Sequence, residues 1–321
     1  MENIAILTGG DSAEHKISLL SANTVLKNLD RKLFKGYIVH LKNNKFTVII
    51  NNQSIPINKV DFSFIYLNKK IKLEKVFMAL HGPPAENGLI QTYFDNLDIT
   101  YTSSNSAVSF LTFNKYKCNA SLSKLGFNCP TSYLYDKKKS IDKKLIIDKV
   151  ALPCFVKPNG AGSSFGITKV YKKENLMNAI KKALLHDNKV IIEQFIKGTE
   201  VSCGVFFDGN KVISLPITEI VSENDFFDYQ AKYEGKSKEI TPARVNSTIT
   251  KDIQNISINI YKKINLRGIC RIDYIIMNET PYVIEINTIP GLSEESIIPK
   301  QLKSAKLKLD ETFKICLLNT K

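Results

Sequence analysis

The stretch Arg271-Ile272-Asp273-Tyr274-Ile275 is followed, across a short turn, by Tyr282-Val283-Ile284-Glu285-Ile286-Asn287. Both runs alternate apolar with charged or amide residues, the period of a β-strand, and the intervening Asn278-Glu279-Thr280 predicts a hairpin. With the turn centred on Glu279, Asp273 faces Glu285 and Arg271 faces Asn287. These four share one face, while Ile272, Tyr274, Ile284 and Ile286 line the other. Two carboxylates directly opposite each other have Cβ atoms about 5 Å apart and repel. A hard divalent cation removes that cost. Asp, Glu and an Asn carbonyl form the all-oxygen set that Mg2+ takes, completed by water and phosphate oxygens. The same pattern also fits a solvated face carrying an Arg271–Asp273 ion pair, and a one-residue slip would separate the carboxylates.

Upstream lies a long polar segment, 221–241, carrying Gly235 with Phe226, Phe227, Tyr229 and Tyr233. It suits a lid that packs down when shut, or else a disordered loop. Further upstream, Cys154-Phe155-Val156-Lys157-Pro158 reads as a buried strand entering the loop Asn159–Gly166, which holds Gly160, Gly162, Ser163 and Ser164. Glycines let backbone N–H groups approach phosphate oxygens, and a lysine beside them adds a compact cation. The spacing fits neither the P-loop nor the dinucleotide fingerprint, and a plain Gly-Ser turn is equally consistent. Lys115, ahead of an apolar helix, is a second phosphate cation or a surface lysine. Glu193 sits inside an apolar run and needs a partner. Glu193 and Glu200, the latter at a strand start, suit the hydroxyls or amine of a nucleotide, or are strand-edge charges.

The first hundred residues alternate strand and helix patterns: strand 3–8, helix 13–29, strands 36–41 and 75–80, helix 87–96. A hairpin of 45–50 and 53–57 turns at Asn51-Asn52. A βαβ-type sheet follows, with its loops at the strand carboxyl ends. Strands are expected at 190–195, 200–207 and 211–217, a helix at 248–265 and two terminal helices, whereas the lysine-rich stretch 137–150 reads as surface. Breaks near 103 and 190 divide the chain into 1–103, 104–189 and 190–321. The class is α/β, or α+β where the later strands dominate.

The net charge of +14 is the main anomaly of composition. All but four of the 45 basic residues are lysine, spread along the chain, so the arginine chemistry of base reading is absent and no nucleic-acid partner is expected. An anionic substrate fits the charge equally well. No run of about 18 apolar residues predicts a membrane span. The six cysteines form neither a C-x-x-C pair nor a zinc spacing, and read as free thiols of a cytoplasmic protein.

Taken in order, several segments resemble the D-alanine–D-alanine ligases of the ATP-grasp superfamily. Gly9-Gly10-Asp11-Ser12-Ala13-Glu14-His15 is similar to the family's first signature, and Ala79-Leu80-His81-Gly82 with Glu86-Asn87-Gly88 to its second. Val156-Lys157-Pro158 with Gly162-Ser163-Ser164-Phe165-Gly166 resembles its phosphate loop, and Phe227-Asp228-Tyr229-Gln230-Ala231-Lys232-Tyr233 its mobile loop. Arg271-Ile272-Asp273, Glu285-Ile286-Asn287-Thr288 and Pro290-Gly291 resemble its metal hairpin. The likeness spans residues 9 to 296.

The resemblance implies an ATP-grasp fold behind an N-terminal Rossmann-like (pre-ATP-grasp) domain, ATP as substrate, and a homodimer. It implies two Mg2+ ions, or Mn2+, on Asp273, Glu285 and Asn287. Lys115, Lys157 and Ser164 would contact ATP phosphates, Glu193 and Glu200 adenine and ribose, and Lys232 the γ-phosphate. Arg271 and a backbone N–H near Gly291 would stabilise the oxyanion. Glu14, linked to Ser163 and Tyr233, would orient the ammonium of the first D-alanine. Ser296 would bind the carboxylate of the second, and His81 would lie near the substrate pocket. The expected activity is ligation of two D-alanines through an acyl phosphate, for peptidoglycan precursor synthesis. A D-alanine–D-lactate ligase and a nucleotide-binding protein without catalysis are the rival readings. Three departures bear on them. Pro83-Pro84-Ala85 precedes Glu86 where the family has a Gly-Glu pair, so a loop strained at Ala85, or else reshaped, is expected. Phe227 replaces a tyrosine. Glu294-Glu295 bring negative charge close to Ser296, which should weaken binding of a substrate carboxylate unless it points to solvent.

Overall fold

The structure is a computed structural model that describes residues 1–162, 166–222 and 237–320. The chain begins β1 (Glu2–Gly9), α1 (His15–Lys27), β2 (Phe34–Lys42), β3 (Lys45–Ile50) and β4 (Gln53–Pro56). A separate hairpin, β5 (Ser63–Tyr66) and β6 (Lys69–Lys72), leads to β7 (Lys75–Met78), α2 (Leu89–Asp95) and β8 (Thr100–Tyr101). The first sheet has the order β4-β3-β2-β1-β7-β8. The pairs β1–β2, β1–β7 and β7–β8 are parallel, so the loops after β1 and β7 leave the same edge. That edge is where ligands bind in an open parallel sheet. The β5–β6 hairpin was not expected from the sequence. Its turn residues Leu67 and Asn68 both take positive φ, but leucine gives no turn signal.

Helices α3 (Ser106–Phe113) and α4 (Lys115–Lys124) lead into a second, antiparallel sheet. It is built from β9 (Ser132–Asp136), β10 (Cys154–Pro158), β11 (Thr168–Val170) and β12 (Lys189–Gln194) in the order β11-β10-β12-β9. Two helices cover it, α5 (Lys143–Val150) and α6 (Leu176–Ala183). The lysine-rich stretch is therefore partly helical: Asp142 caps α5 by accepting from the Lys144 and Leu145 amides, and α5 buries Ile146 and Val150. A division at residue 190 would fall inside β12. The chain leaves the second sheet after Gln194 and enters the third at Thr199.

The third sheet comprises β13 (Thr199–Phe207), β14 (Val212–Ser214), β15 (Thr218–Ser222), β16 (Ser237–Ile240), β17 (Cys270–Met277) and β18 (Thr280–Asn287), with α7 (Ser247–Lys263) packed on it. Its main order is β16-β15-β13-β17-β18. Helices α8 (Ile297–Ser304) and α9 (Leu309–Leu318) end the described chain. They return to the first sheet, where Ile298, Leu302 and Phe313 share one core with Ile4, Ile6 and Phe77. The Phe77 and Phe313 rings meet edge-on at 5.2 Å. The second sheet keeps its own core. Among the described residues no helix is long and apolar enough to cross a membrane. All six cysteines are free, and burial pushes the Cys118, Cys203 and Cys316 thiols up to about 12.

The β17–β18 hairpin is where expectation and structure differ most usefully. The turn has two residues, Asn278 and Glu279, both with positive φ (49° and 63°), and Met277 pairs with Thr280. This centres the turn half a residue away from Glu279. Tyr274 accordingly pairs with Val283, not Ile284. A bulge between Asp273 and Tyr274 then shifts the register, and Asp273 faces Glu285 and Arg271 faces Asn287 as expected. Val283 takes the core place predicted for Ile284, with 1% of its surface exposed. Glu279 is exposed in a conformation that glycine prefers for this turn. Glu279→Gly should therefore raise stability by about 0.5–1 kcal/mol in a urea unfolding titration; destabilisation would show that the turn differs from the one described.

Candidate active site

Asp273 is 8% exposed and fully engaged. Its Oδ1 accepts from Ser202 Oγ at 2.6 Å and from Arg271 Nε at 2.9 Å. Its Oδ2 accepts from Arg271 Nη2 and from Asn287 Nδ2, both at 2.9 Å. The Arg271–Asp273 pair thus exists, but it is bidentate and largely buried rather than solvated. Burial opposes the Arg271 charge, and Asp273 beside it holds the guanidinium well above its ordinary value. Across the hairpin, Glu285 Oε1 accepts from Lys115 Nζ at 2.6 Å, and the same ammonium donates to the Ala161 carbonyl at 3.0 Å. Each carboxylate therefore carries its own protein cation, which relieves the repulsion expected between them. Among the described residues no three His, Cys, Asp or Glu side chains gather as metal ligands. The set that fits a magnesium–nucleotide site is two carboxylates with an amide, leaving positions for phosphate and water.

The hairpin face opens on a cleft of about 260 Å³. Glu14, at the carboxyl edge of the first sheet, lines it together with Arg271, Gly291 and Ser296. Five glutamates reach it, Glu14, Glu86, Glu239, Glu285 and Glu295, against Lys115 and Arg271. A chain of net charge +14 therefore holds a locally acidic cleft, suited to ammonium groups and divalent cations. Gly162 permits the close approach of the second sheet: a β-carbon there would lie 3.2 Å from Glu14 Oε2 and 3.8 Å from Glu86 Oε2. Burial, and then Glu14, push the Glu86 carboxyl up to about 8. A smaller adjoining cavity of about 40 Å³ is lined by Lys115, Lys157, Gly162, Ile284 and Glu285. The bulge thus turns Ile284 from the predicted core into this cavity.

Lys157 and Glu193 lie diagonally across β10 and β12 and form an ion pair at 2.6 Å. Asn119 Nδ2 donates to the second Glu193 oxygen at 2.7 Å, so the buried carboxylate has the partners it requires. Glu200 stands on β13 between Ile220 and Ile275 and lines neither cavity. Ser163, Ser164, Lys232 and Tyr233 lie outside the described residues, as do Phe227 and most of the expected lid.

His81 lines the cleft, but both ring nitrogens are committed to protein groups. Nδ1 donates to the Ile289 carbonyl at 2.9 Å, which leaves Nε2 to accept from Ser21 Oγ at 2.9 Å. Burial lowers the imidazole pKa, in keeping with this neutral form. Ser296 begins α8, its Oγ 2.7 Å from Ser293 Oγ, and a β-carbon on Gly291 would fall 2.7 Å from Ser296 Oγ. Two expectations are resolved here. Ala85 does not take positive φ; its methyl enters the core and its carbonyl accepts from Gln91 Nε2 at 2.7 Å, so alanine fits without strain. Glu294 and Glu295 point to solvent, the exception allowed for: Glu294 pairs with Lys27, and Glu295, 92% exposed at the rim of the cleft, pairs with Lys300. Residues not singled out beforehand are Glu86, Ile284 and Ser21. Glu86 stood in a quoted motif, whereas Ile284 and Ser21 read as ordinary strand and helix positions.

Glu86 gives the site a pH dependence. A glutamate raised from 4.5 to about 8 keeps a proton in the fold that the unfolded chain has lost. Its stabilising contribution is full below about pH 4.5 and disappears as the pH rises through about 8. Glu86→Gln should flatten the fall in melting temperature between pH 5.5 and 8.5 in ligand-free protein. An unchanged slope would contradict a protonated Glu86.

Family profiles match almost the whole chain: D-ala D-ala ligase N-terminus over residues 3–104 and D-ala D-ala ligase C-terminus over 122–315. A protein named D-alanine--D-alanine ligase from Flavobacterium johnsoniae is 45% identical over 314 residues, covering 98% of this chain and 97% of its own. One of the same name from Christiangramia forsetii is 45% identical over 313 residues, with 97% and 96% covered. Among solved structures, the VanG D-Ala:D-Ser ligase from Enterococcus faecalis superposes with a TM-score of 0.87 at 29% identity, covering 98% of each chain. D-alanyl-alanine synthetase A from Vibrio cholerae, at 24% identity, shares the fold with a TM-score of 0.89 and coverage of 99% and 98%. With the carboxylate hairpin, the acidic cleft and the sheet order in place, these matches show that the chain belongs to the D-alanine–D-alanine ligase family.

Proposed function

We propose that the cleft joins two D-alanine molecules through an amide bond, at the expense of ATP, for peptidoglycan precursor synthesis. The observation that carries this reading is that Glu285, Asn287 and Lys115 line one cleft with Glu14, Arg271, Gly291 and Ser296, while Asp273 is bonded to Arg271 and Asn287 of that lining. A carboxylate does not react with an amine at neutral pH because oxide is too poor a leaving group. Transfer of the γ-phosphoryl group to the first D-alanine makes an acyl phosphate, and attack by the amine of the second expels phosphate. The chain's task is alignment and charge neutralisation.

Asp273, Glu285 and Asn287 would hold two Mg2+ ions, or Mn2+, whose charge when bound neutralises the ATP phosphates. Lys115 and Arg271 already balance these carboxylates and become available to phosphate and oxyanion when that charge is supplied otherwise. Lys157 reaches the nucleotide cavity, where Ile284 offers an apolar wall. Glu193 and Glu200 are assigned to adenine and ribose. Glu14 holds the ammonium of the first D-alanine, and Ser296 the carboxylate of the second. Arg271 and the Gly291 amide meet the oxyanion. Ser163, Ser164, Lys232 and Tyr233 keep their assignments by family resemblance. The division into an N-terminal substrate domain and two ATP-grasp subdomains, a homodimer and a cytoplasmic setting belong to the same proposal.

Two measurements test it. Phosphate release from ATP and Mg2+ should be fast with D-alanine and near background with L-alanine or D-lactate; D-serine tests the selectivity named for the Enterococcus relative. Preference for D-lactate or D-serine would overturn the assignment of the second substrate. Asp273→Asn should abolish turnover. It should also destabilise metal-free protein by on the order of 1–3 kcal/mol, because Arg271 loses its bidentate partner. A variant that retains activity would remove Asp273 from the site.

A further inference from the structure

The segment Thr288–Leu292 follows the metal hairpin and has no regular secondary structure. It nonetheless carries Gly291, and Pro290 within it has no N–H to anchor it. Its hold comes from elsewhere. The Ile289 carbonyl accepts from His81 Nδ1 at 2.9 Å. The Leu292 amide donates to Ser21 Oγ at 3.0 Å. The Ser21 hydroxyl in turn donates to His81 Nε2 at 2.9 Å. These bonds bracket Pro290 and Gly291 from both sides. His81 is itself fixed, since its backbone N–H donates to Ser18 Oγ at 2.9 Å and Ser18 Oγ donates to the Glu14 carbonyl at 3.2 Å. Ser18 and Ser21 are both fully buried on α1. The Gly291 amide has no hydrogen-bond partner among the described residues, and Gly291 lines the cleft.

We propose that Ser21 and His81 form a positioning pair that sets the Gly291 amide at the cleft, although Ser21 touches no reacting atom. Ser21 is the joint of the device. The Ile289 carbonyl can only accept, so Nδ1 carries the imidazole's hydrogen, Nε2 of the neutral ring accepts, and the Ser21 hydroxyl hydrogen goes to Nε2 while its oxygen accepts from Leu292 N–H. Every proton in the circuit has one place. Loss of the hydroxyl frees the Leu292 amide and leaves Nε2 of a buried imidazole without its donor. An oxyanion donor works only when held at a fixed distance, so displacement of this segment acts on turnover. The same α1 turns link this bracket to Glu14, so one helix serves both the first substrate's ammonium and the donor for the second step.

The inference rests on the proposed ligase reading, and the test separates the two. Wild type, Ser21→Ala, Ser21→Thr and His81→Gln are assayed for phosphate release with ATP, Mg2+ and D-alanine. Amide hydrogen exchange is followed across residues 286–297 without substrates. Ser21→Ala should lower kcat by about 10- to 100-fold with KM for ATP unchanged, and should speed exchange at 286–297. Ser21→Thr, which restores the hydroxyl, should recover most of both. Should the added methyl prevent folding, Ser21→Ala in a His81→Gln background decides: the pair acts as a unit, so the double variant should be no slower than the slower single. Wild-type kcat in Ser21→Ala, unchanged exchange at 286–297, or additive losses in the double variant overturn the positioning role. Wild-type protein that releases no phosphate with D-alanine overturns the ligase reading and this inference with it.

Discussion

Two acid side chains stand side by side because one residue is left out of a ladder. The Asn278-Glu279 turn, taken alone, would set Asp273 against Ile284 and send Glu285 out of line with it. The bulge at Asp273/Tyr274 absorbs that offset. It does two jobs at once. It brings Glu285 opposite Asp273, and it delivers Ile284 to the smaller cavity while Val283 fills the core. Both the charged floor and the apolar wall of the adjoining cavities follow from this single irregularity.

The charges around that floor are arranged in advance. Asp273 is held by Arg271, Asn287 and Ser202, Glu285 by Lys115, and Glu193 by Lys157 and Asn119. Each of these carboxylates is paired with a lysine or an arginine. Buried carboxylates stay tolerable in this way without ligands. The nearby Glu86 lacks an equivalent cation and instead keeps its proton. The acidic lining of the cleft thus stands inside a strongly basic chain, a local field opposite in sign to the net charge.

Much of this was legible in the residues. Period-two alternation placed Arg271, Asp273, Glu285 and Asn287 on one face, and the pairing of Asp273 with Glu285 came out as expected even though the turn was misjudged. Glu193 declared its need for a partner by sitting in an apolar run, but nothing local named Lys157 or Asn119, which arrive through strand pairing and from α4. The β5–β6 hairpin was missed because Leu67-Asn68 does not look like a turn, and α5 because lysines masked Ile146 and Val150. Ser21 was invisible for a different reason. A serine in mid-helix looks like a weak helix former until the segment it bonds, 271 residues away, is in view. The strain expected at Ala85 and the charge expected beside Ser296 both came from comparing residue types without backbone angles or partners.

The apolar interiors of the molecule are not distributed evenly. The first sheet, the terminal helices and Phe206 of β13 share side chains in one continuous interior, which joins the first sheet to the third. The second sheet fills its interior only from residues 133–192. That interior is complete without the rest, and the contacts of this sheet with the remainder include the hydrogen bonds from Lys115 to the Ala161 carbonyl and from Asn119 to Glu193. Separating this sheet from the rest would therefore break polar contacts there and leave its own apolar interior filled.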